Sequence, residues 1–256
     1  MSKLKKSPLK AKPLRNPGQS LDEQLMDIVY DKMLSWFVVL TLMLVMTGAE
    51  WQRWYFDKPL NPWGMTYTAT PIILFCLYRI YVLFHKARKL KLGRDGERIV
   101  GQYLEQVRNA GDRVFHDIVG DQFNLDHVII STHGIFIVET KTYSKPANGK
   151  AEIYFDGKAI TIDKGINANK LIDQARAQKS WLIETLKEST GKKFPVKTII
   201  VFPGWYINST NKAFDGDVWV LNPKGLSTFI NNTPEQIILE DQQLATFHLS
   251  RYIRSK

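Results

Sequence analysis

Cysteine is nearly absent from this 256-residue chain: Cys76 is the only one. A single thiol excludes an intramolecular disulfide and a cysteine-based zinc finger. Its apolar neighbours bury it in lipid or against a helix. His116, His133 and His248 lack metal-ligand spacing and are given no role. There is no internal repeat. The larger part of the chain also lacks charge of one sign. Formal net charge is +10, yet residues 1–94 hold 15 Lys+Arg against 6 Asp+Glu, and residues 95–256 hold 20 against 19. The excess is N-terminal, so bulk charge gives no support to nucleic-acid binding by the C-terminal part.

Charge is missing altogether from Met33 to Ala49, where Leu, Val and Met dominate. As a helix this run spans about 26 Å, just short of a bilayer core of roughly 30 Å. Trp36, Trp51, Trp54 and Tyr55 suit the interfacial zones. A second run covers Pro59 to Tyr78. Arg79 interrupts it and snorkels to a headgroup, and Ile80 to Phe84 continues it. About thirty residues precede the first run and no small-x-small cleavage site follows it, which speaks against a cleaved leader.

Basic residues flank the pair: Lys3, Lys5, Lys6, Lys10, Lys12 and Arg15 before it, Lys86, Arg88, Lys89, Lys91 and Arg94 after it. The loop between holds Arg53 and Lys58, balanced by Glu50 and Asp57. By the positive-inside rule both termini face the cytoplasm, and the expected location is the cell (inner) membrane. The predicted organisation is a basic tail over residues 1–30, a transmembrane hairpin over 31–85 with bilayer contact at 33–49 and 59–84, and a domain over 93–256. The first 20 residues, rich in Lys, Pro and Ser, are expected to be disordered.

Beyond Gly93 the pattern is mixed. Arg94 to Ala110 is predicted helical, from Ile99, Val100, Tyr103, Leu104 and Val107. Strands are predicted at Arg113–Val119, on both sides of Ser131-Thr132-His133-Gly134, on both sides of Asp156-Gly157, at Lys197–Phe202 and at Asp217–Leu221. Helices are predicted at Asn169–Leu186 and Pro234–Tyr252. This order gives an α/β domain with a mixed sheet.

The chemistry concentrates around one hairpin, Asp126 to Lys141. If Thr132 and His133 make the turn, Asp126 faces Glu139; if His133 and Gly134 do, it faces Lys141. Strand side chains alternate, so Asp126, Glu139 and Lys141 share one face in either register. Opposed side chains start roughly 5 Å apart. Two carboxylates at that spacing can hold a hard divalent cation through oxygen. An ordinary cross-strand salt bridge explains the same spacing. His127 points to the opposite face and reads as packing. Glu97 lies on the apolar face of its helix and also in the first turn, where the helix dipole favours a carboxylate. Gln174 and Gln178 border the stripe Leu171, Ala175, Leu182 and Leu186.

Together Gly93-Arg94-Asp95-Gly96-Glu97, Leu125-Asp126-His127, Gly134 to Lys141 with Tyr143, and Gln174-Ala175 resemble the nuclease-related domain, NERD, a branch of the PD-(D/E)XK nucleases. The resemblance implies a restriction-endonuclease-like mixed sheet flanked by helices, preceded here by two transmembrane helices. It implies that Asp126 and Glu139 hold Mg²⁺ or Mn²⁺, with the Thr140 carbonyl as a further ligand. Lys141 would orient or activate the attacking water, tending towards the neutral amine beside a cation. Glu97 would complete the acidic cluster, and Gln174 would position the water or a phosphate. Leu125 departs from the proline of the superfamily's name. The implied activity is phosphodiester hydrolysis, on DNA sooner than RNA. A catalytically silent binding or scaffold module is the alternative.

Overall fold

The computed structural model describes residues 12–56, 61–109, 111–120, 123–146, 151–163 and 165–255. Lys3, Lys5, Lys6, Lys10, Asp57, Lys58 and Pro59 fall outside these residues. The chain divides into two units, Ser20–Leu92 and Met1–Gln19 with Gly93–Lys256.

The first unit is helical: α1 (Gln19–Met26), a π-helical stretch (Asp27–Met33), α2 (Leu34–Tyr55) and the opening part of α3 (Pro62–Asn109). Two of its helices are long and apolar enough to cross a membrane. Most of their large side chains, such as Phe37, Val38, Leu42, Val45, Leu74 and Phe75, are exposed. Ile28, Met33, Leu83 and Ala87 form a small internal cluster, and Cys76 is fully buried. Trp51 Nε1 donates to Thr66 Oγ1 at 3.0 Å. The Arg79 guanidinium lies 5.4 Å from the Trp36 ring centroid, a protein partner where a lipid headgroup was expected.

Two expectations change here. Of the basic tail expected over residues 1–30, residues 19–30 belong to the helical stretch 19–33. Arg15 is bonded to Asp117, and the Cγ of Pro17 closely approaches the Cα side of Gly101. Composition suggested disorder, but these residues gain order from partners a hundred positions away. Second, the run and the helix predicted on either side of residues 85–93 join into one 48-residue helix. The Lys, Arg, Leu and Ala between them are good helix formers, and no proline interrupts them.

The other unit carries two sheets. The larger has the order β1 (Arg113–Val119), β2 (Asn124–Ser131), β3 (Gly134–Thr140), β7 (Val196–Val201), β9 (Val218–Leu221). The first three run antiparallel, and β7 and β9 are parallel to β3. The smaller has the order β6 (Ile166–Asn167), β5 (Ile160–Ile162), β4 (Glu152–Phe155), β8 (Tyr206–Ser209). Helices α4 (Lys170–Thr190), α5 (Leu226–Asn231) and α6 (Leu239–Ser255) complete it. This is an α/β arrangement of mixed sheets flanked by helices.

Both faces of the larger sheet are covered, which explains why its strands are apolar almost without interruption. Val114, Ile129, Phe136 and Val138 pack on Val100, Leu104 and Val107 of α3. Phe115, Val128, Ile130, Ile135 and Ile137 pack on Leu182 and Leu186 of α4 and on Ala245 and Leu249 of α6. Truncating one of these fully buried isoleucines to Ala removes about 2–5 kcal/mol. The pairs run from His127↔Val138 to Ser131↔Gly134, so Thr132 and His133 make the turn. That register puts Asp126 opposite Glu139. Gly134 has φ +138, a conformation glycine adopts without strain.

Candidate active site

β2 and β3 carry the first two carboxylates to the same end of the sheet. Asp126 Oδ2 accepts the Thr140 N–H at 2.7 Å, a side chain answering a backbone donor. Glu139 is 4% exposed, and both its oxygens are occupied. Oε1 accepts from Lys141 Nζ at 2.6 Å and from Gln174 Nε2 at 2.8 Å. Oε2 accepts from Gln178 Nε2 at 2.7 Å. Lys141 Nζ also donates to Gln174 Oε1 at 3.3 Å. Gln174 and Gln178 are four residues apart on α4, so both amides face one carboxylate. The expected roles of Gln174 and Lys141 rest on this grouping; Gln178 read as a boundary residue and sits equally close to Glu139.

Glu97 arrives from α3. The glycine before it has a local reason: a Cβ at Gly96 would collide with the Thr142 side chain, just past Lys141. Without that side chain, α3 can approach the end of β3, and buried Glu97 joins the cluster. Its pKa is raised from the usual carboxylate range to about 7, by burial first and then by the charges of Asp117 and Glu139. Asp126 is raised well above its ordinary value, by desolvation and then by Glu139 and Glu97. Each carboxylate disfavours ionisation of its neighbours.

Lys141 runs the other way. Burial alone would lower its pKa, but Glu139 and then Asp126 outweigh it and the ammonium is favoured. In this arrangement Lys141 is a cation and a donor; the neutral amine expected beside a bound cation belongs to a different charge state of the site.

Asp117 went unnoticed in the sequence. The β1–β2 pairs run from Arg113↔Ile130 to His116↔His127 and resume at Ile118↔Leu125, leaving Asp117 in the gap opposite Asp126. Its φ is +49, which Asp tolerates better than most residues. The side chain is 1% exposed; Oδ1 accepts from Asn124 and Oδ2 from Arg15. Asp117, Asp126 and Glu139 thus form a row of acids across three neighbouring strands. An aspartate inside an apolar strand carries no sequence signal that a local break will turn it into that row.

His127 does point to the opposite face, and His116, given no role, is its partner. Their Nδ1 atoms are 2.8 Å apart, and the Arg108 guanidinium lies 3.2 Å from His116 Nε2. Burial lowers the His116 pKa to about 4 and the His127 pKa well below its usual value.

Among the described residues no group of three or more His, Cys, Asp or Glu stands ready to hold an ion. Mg²⁺, however, is commonly held by one or two carboxylates, with waters and substrate phosphates filling the remaining positions. Asp126 and Glu139 fit that smaller demand. Gln178 Oε1, on the residue whose amide donates to Glu139, is buried without a partner, so the pocket has a spare oxygen. The raised proton affinities of Asp126 and Glu97 mean the donor set favours added positive charge.

Residues 92–203 match the family described as nuclease-related domain, NERD. The NERD match takes in Glu97, Asp117, Asp126, Glu139, Thr140, Lys141, Gln174 and Gln178, and leaves out Arg15. A Bacillus anthracis protein described as uncharacterized is 31% identical over 83 residues, which are 30% of this chain and 36% of that protein. The chain therefore spans about a third of that relative's length. In solved structures, Pyrococcus furiosus SfsA in complex with Ca²⁺ is similar at a TM-score of 0.26 and 14% identity, over 49% of this chain and 54% of that one.

Proposed function

We propose that this protein is a membrane-anchored, metal-dependent nuclease of restriction-endonuclease-like architecture that hydrolyses phosphodiester bonds, DNA before RNA. The observation that carries this reading is the meeting of Asp126, Glu139 and Glu97 with Lys141 and Gln174 at one end of the sheet, inside a match to a nuclease-related family. Asp126 and Glu139 would hold Mg²⁺ or Mn²⁺, with Thr140 beside them. Such an ion, when bound, lowers the pKa of its water and neutralises charge on phosphoryl oxygens.

The chain's own groups divide the remaining work. Lys141, kept as an ammonium by Glu139, supplies positive charge to a non-bridging phosphate oxygen as charge builds there. Gln174 fixes Lys141 and Glu139 together, so the cation and the carboxylate keep one geometry. Glu97, poised near neutrality, is suited to accept or return a proton at working pH. The two apolar helices anchor the domain, with the basic residues on both sides kept cytoplasmic.

The full chain in detergent, with Mg²⁺ or Mn²⁺ and DNA or RNA, tests this against Asp126→Asn and Lys141→Ala. Cleavage by the wild type alone supports it. Equal cleavage by all three proteins, or none by any, rejects it. One observation favours a silent binding module instead: three donors already occupy Glu139, leaving it little free coordination. Retarded nucleic acid without cleavage in any metal would support that second reading.

A further inference from the structure

The NERD match begins at residue 92, but the acid row is completed from the other side of the chain. Leu14 to Gly18 run beside it. Arg15 Nε donates to Asp117 Oδ2 at 2.6 Å across 102 residues of sequence, and both side chains are largely shielded. The Gly18 backbone N–H lies near the Glu97 carboxylate and favours its ionised form. The strip is fitted, not merely draped. Gly18 has φ +70, and a Cβ there would come within 3.1 Å of the Arg94 side chain. A Cβ at Gly101 would come within 2.6 Å of Pro17 Cγ. Lys12 O accepts from Arg254 at 3.2 Å, which fixes the strip's outer end.

We infer that Arg15 is a positioning residue of the acid row: the Leu14–Gly18 strip holds a guanidinium on Asp117 and a backbone N–H near Glu97, and its charge so opposes a divalent cation at the neighbouring Asp126 and Glu139. This rests on the reading of the cluster as an ion site. The physical reason is charge. Glu97, Asp117, Asp126 and Glu139 act on one another electrostatically, Lys141 is bonded to Glu139, and Arg15 brings a second positive charge through Asp117. A fixed positive charge near an ion site weakens ion binding. By reciprocity, a bound ion must then weaken the strip's hold.

Two measurements on the full chain in detergent test this. In the first, Mn²⁺ is titrated by electron paramagnetic resonance. Arg15→Ala is expected to bind about threefold to tenfold tighter than wild type, and Arg15→Lys to stay near wild type. Gly18→Ala, which dislodges the strip by backbone strain, should move the same way as Arg15→Ala. In the second, amide exchange of residues 14–18 in the wild type should quicken when Mn²⁺ is added. Unchanged or weaker binding in Arg15→Ala, or exchange indifferent to Mn²⁺, overturns the inference and makes the strip a strut. No binding by wild type or Arg15→Ala overturns the ion reading of the site itself, and this inference with it. Binding by Arg15→Ala alone supports both. If Arg15→Ala fails to fold, Gly18→Ala and the wild-type exchange decide.

Discussion

Asp126 and His127 are adjacent on β2 and look out on opposite sides of the sheet, into two polar layers built on contrary principles. On the Asp126 side, acids from three strands are drawn together at the end of the sheet that Glu97 of α3 also reaches, and burial with mutual repulsion raises the proton affinity of Asp126 and Glu97. On the His127 side, two imidazoles bond each other, and burial removes their charge. The first layer gathers charge that its own donors only partly answer. In the second the imidazoles are held neutral beside the Arg108 guanidinium, and His127 Nε2 is left without a partner. A layer that wants a cation is a candidate for chemistry; a layer that has discharged itself is packing.

The largest effect that separates the two layers is on turnover. Asp126→Asn or Glu139→Gln is expected to lower cleavage by roughly 10²–10³-fold, since each weakens the hold on the ion that would stabilise developing charge. Replacing His116 and His127 together should leave cleavage within about threefold, since their layer supplies no group to a phosphate. Rates on one duplex substrate in Mn²⁺ check both. A His double variant as dead as Asp126→Asn would erase the contrast.

Next is pH, with the protein kept free of divalent ions by a chelator. Glu97 binds its proton more tightly when folded, so its contribution is fully present below about 4.5 and is lost as pH rises through about 7. At 1.36 kcal/mol per pKa unit this loss is about 3 kcal/mol. His116 is the reverse: its folded pKa is depressed to about 4, so its contribution is present above about 6.5 and is lost as pH falls towards 4. Denaturant titrations across pH should therefore show Glu97→Gln lessening the decline on the alkaline side by about 2–3 kcal/mol at pH 8, with the raised Asp126 supplying the remainder. His116→Gln should flatten the acid side. The two variants moving the same limb would break the assignment.

The sequence carried the acid layer better than the imidazole layer. Alternation around Ser131–Gly134 confined the hairpin to two registers, and in both of them Asp126, Glu139 and Lys141 share a face. Glu97 could be picked out because a carboxylate on the apolar face of a helix is conspicuous, whereas Gln174, at the border of its stripe, stood out from Gln178 only through the family resemblance. The coupling of His116 to His127 was hidden because strand pairing between β1 and β2 depends on where the ladder breaks, and Asp117 breaks it through a backbone angle that composition does not encode. Arg15 was hidden more deeply: a Lys- and Pro-rich stretch has no apolar periodicity, and its order comes only from distant partners. The smaller sheet was half legible. Asp156-Gly157 marked β4 and β5, but β6 and β8 are too short to leave a pattern and depend on neighbours for pairing.

A smaller effect tests how α3 is brought to the acid layer. Gly96→Ala introduces a Cβ against Thr142, and overpacking of this kind costs about 1–3 kcal/mol. Thr142→Ala removes the two colliding atoms, so the double variant should recover most of that loss and most of the activity. A thermodynamic cycle on the four proteins measures the coupling. Simple additivity would mean that Gly96 serves backbone freedom and not close approach.

The smallest expected effect is on the imidazole layer, and it depends on whether one partner or both are removed. His116→Leu alone leaves His127 buried with both ring nitrogens unanswered, since Nε2 already lacks a partner. A stranded buried polar group costs about 1–3 kcal/mol. Replacing both rings by leucine removes the stranded atoms together, and apolar replacement of a hydrogen-bonded pair is close to neutral. The double variant should thus be more stable than the single and within about 1 kcal/mol of wild type, by urea unfolding at pH 8. Gln178→Leu provides the matching test on the other side of the sheet. It strips a donor from the buried Glu139 carboxylate, which still needs hydrogen-bond partners, so the loss is not offset by an apolar substitution of one partner. If the histidine double variant falls as far as Gln178→Leu, the imidazoles are supporting something beyond each other, and the two layers are not the opposites their pKa shifts imply.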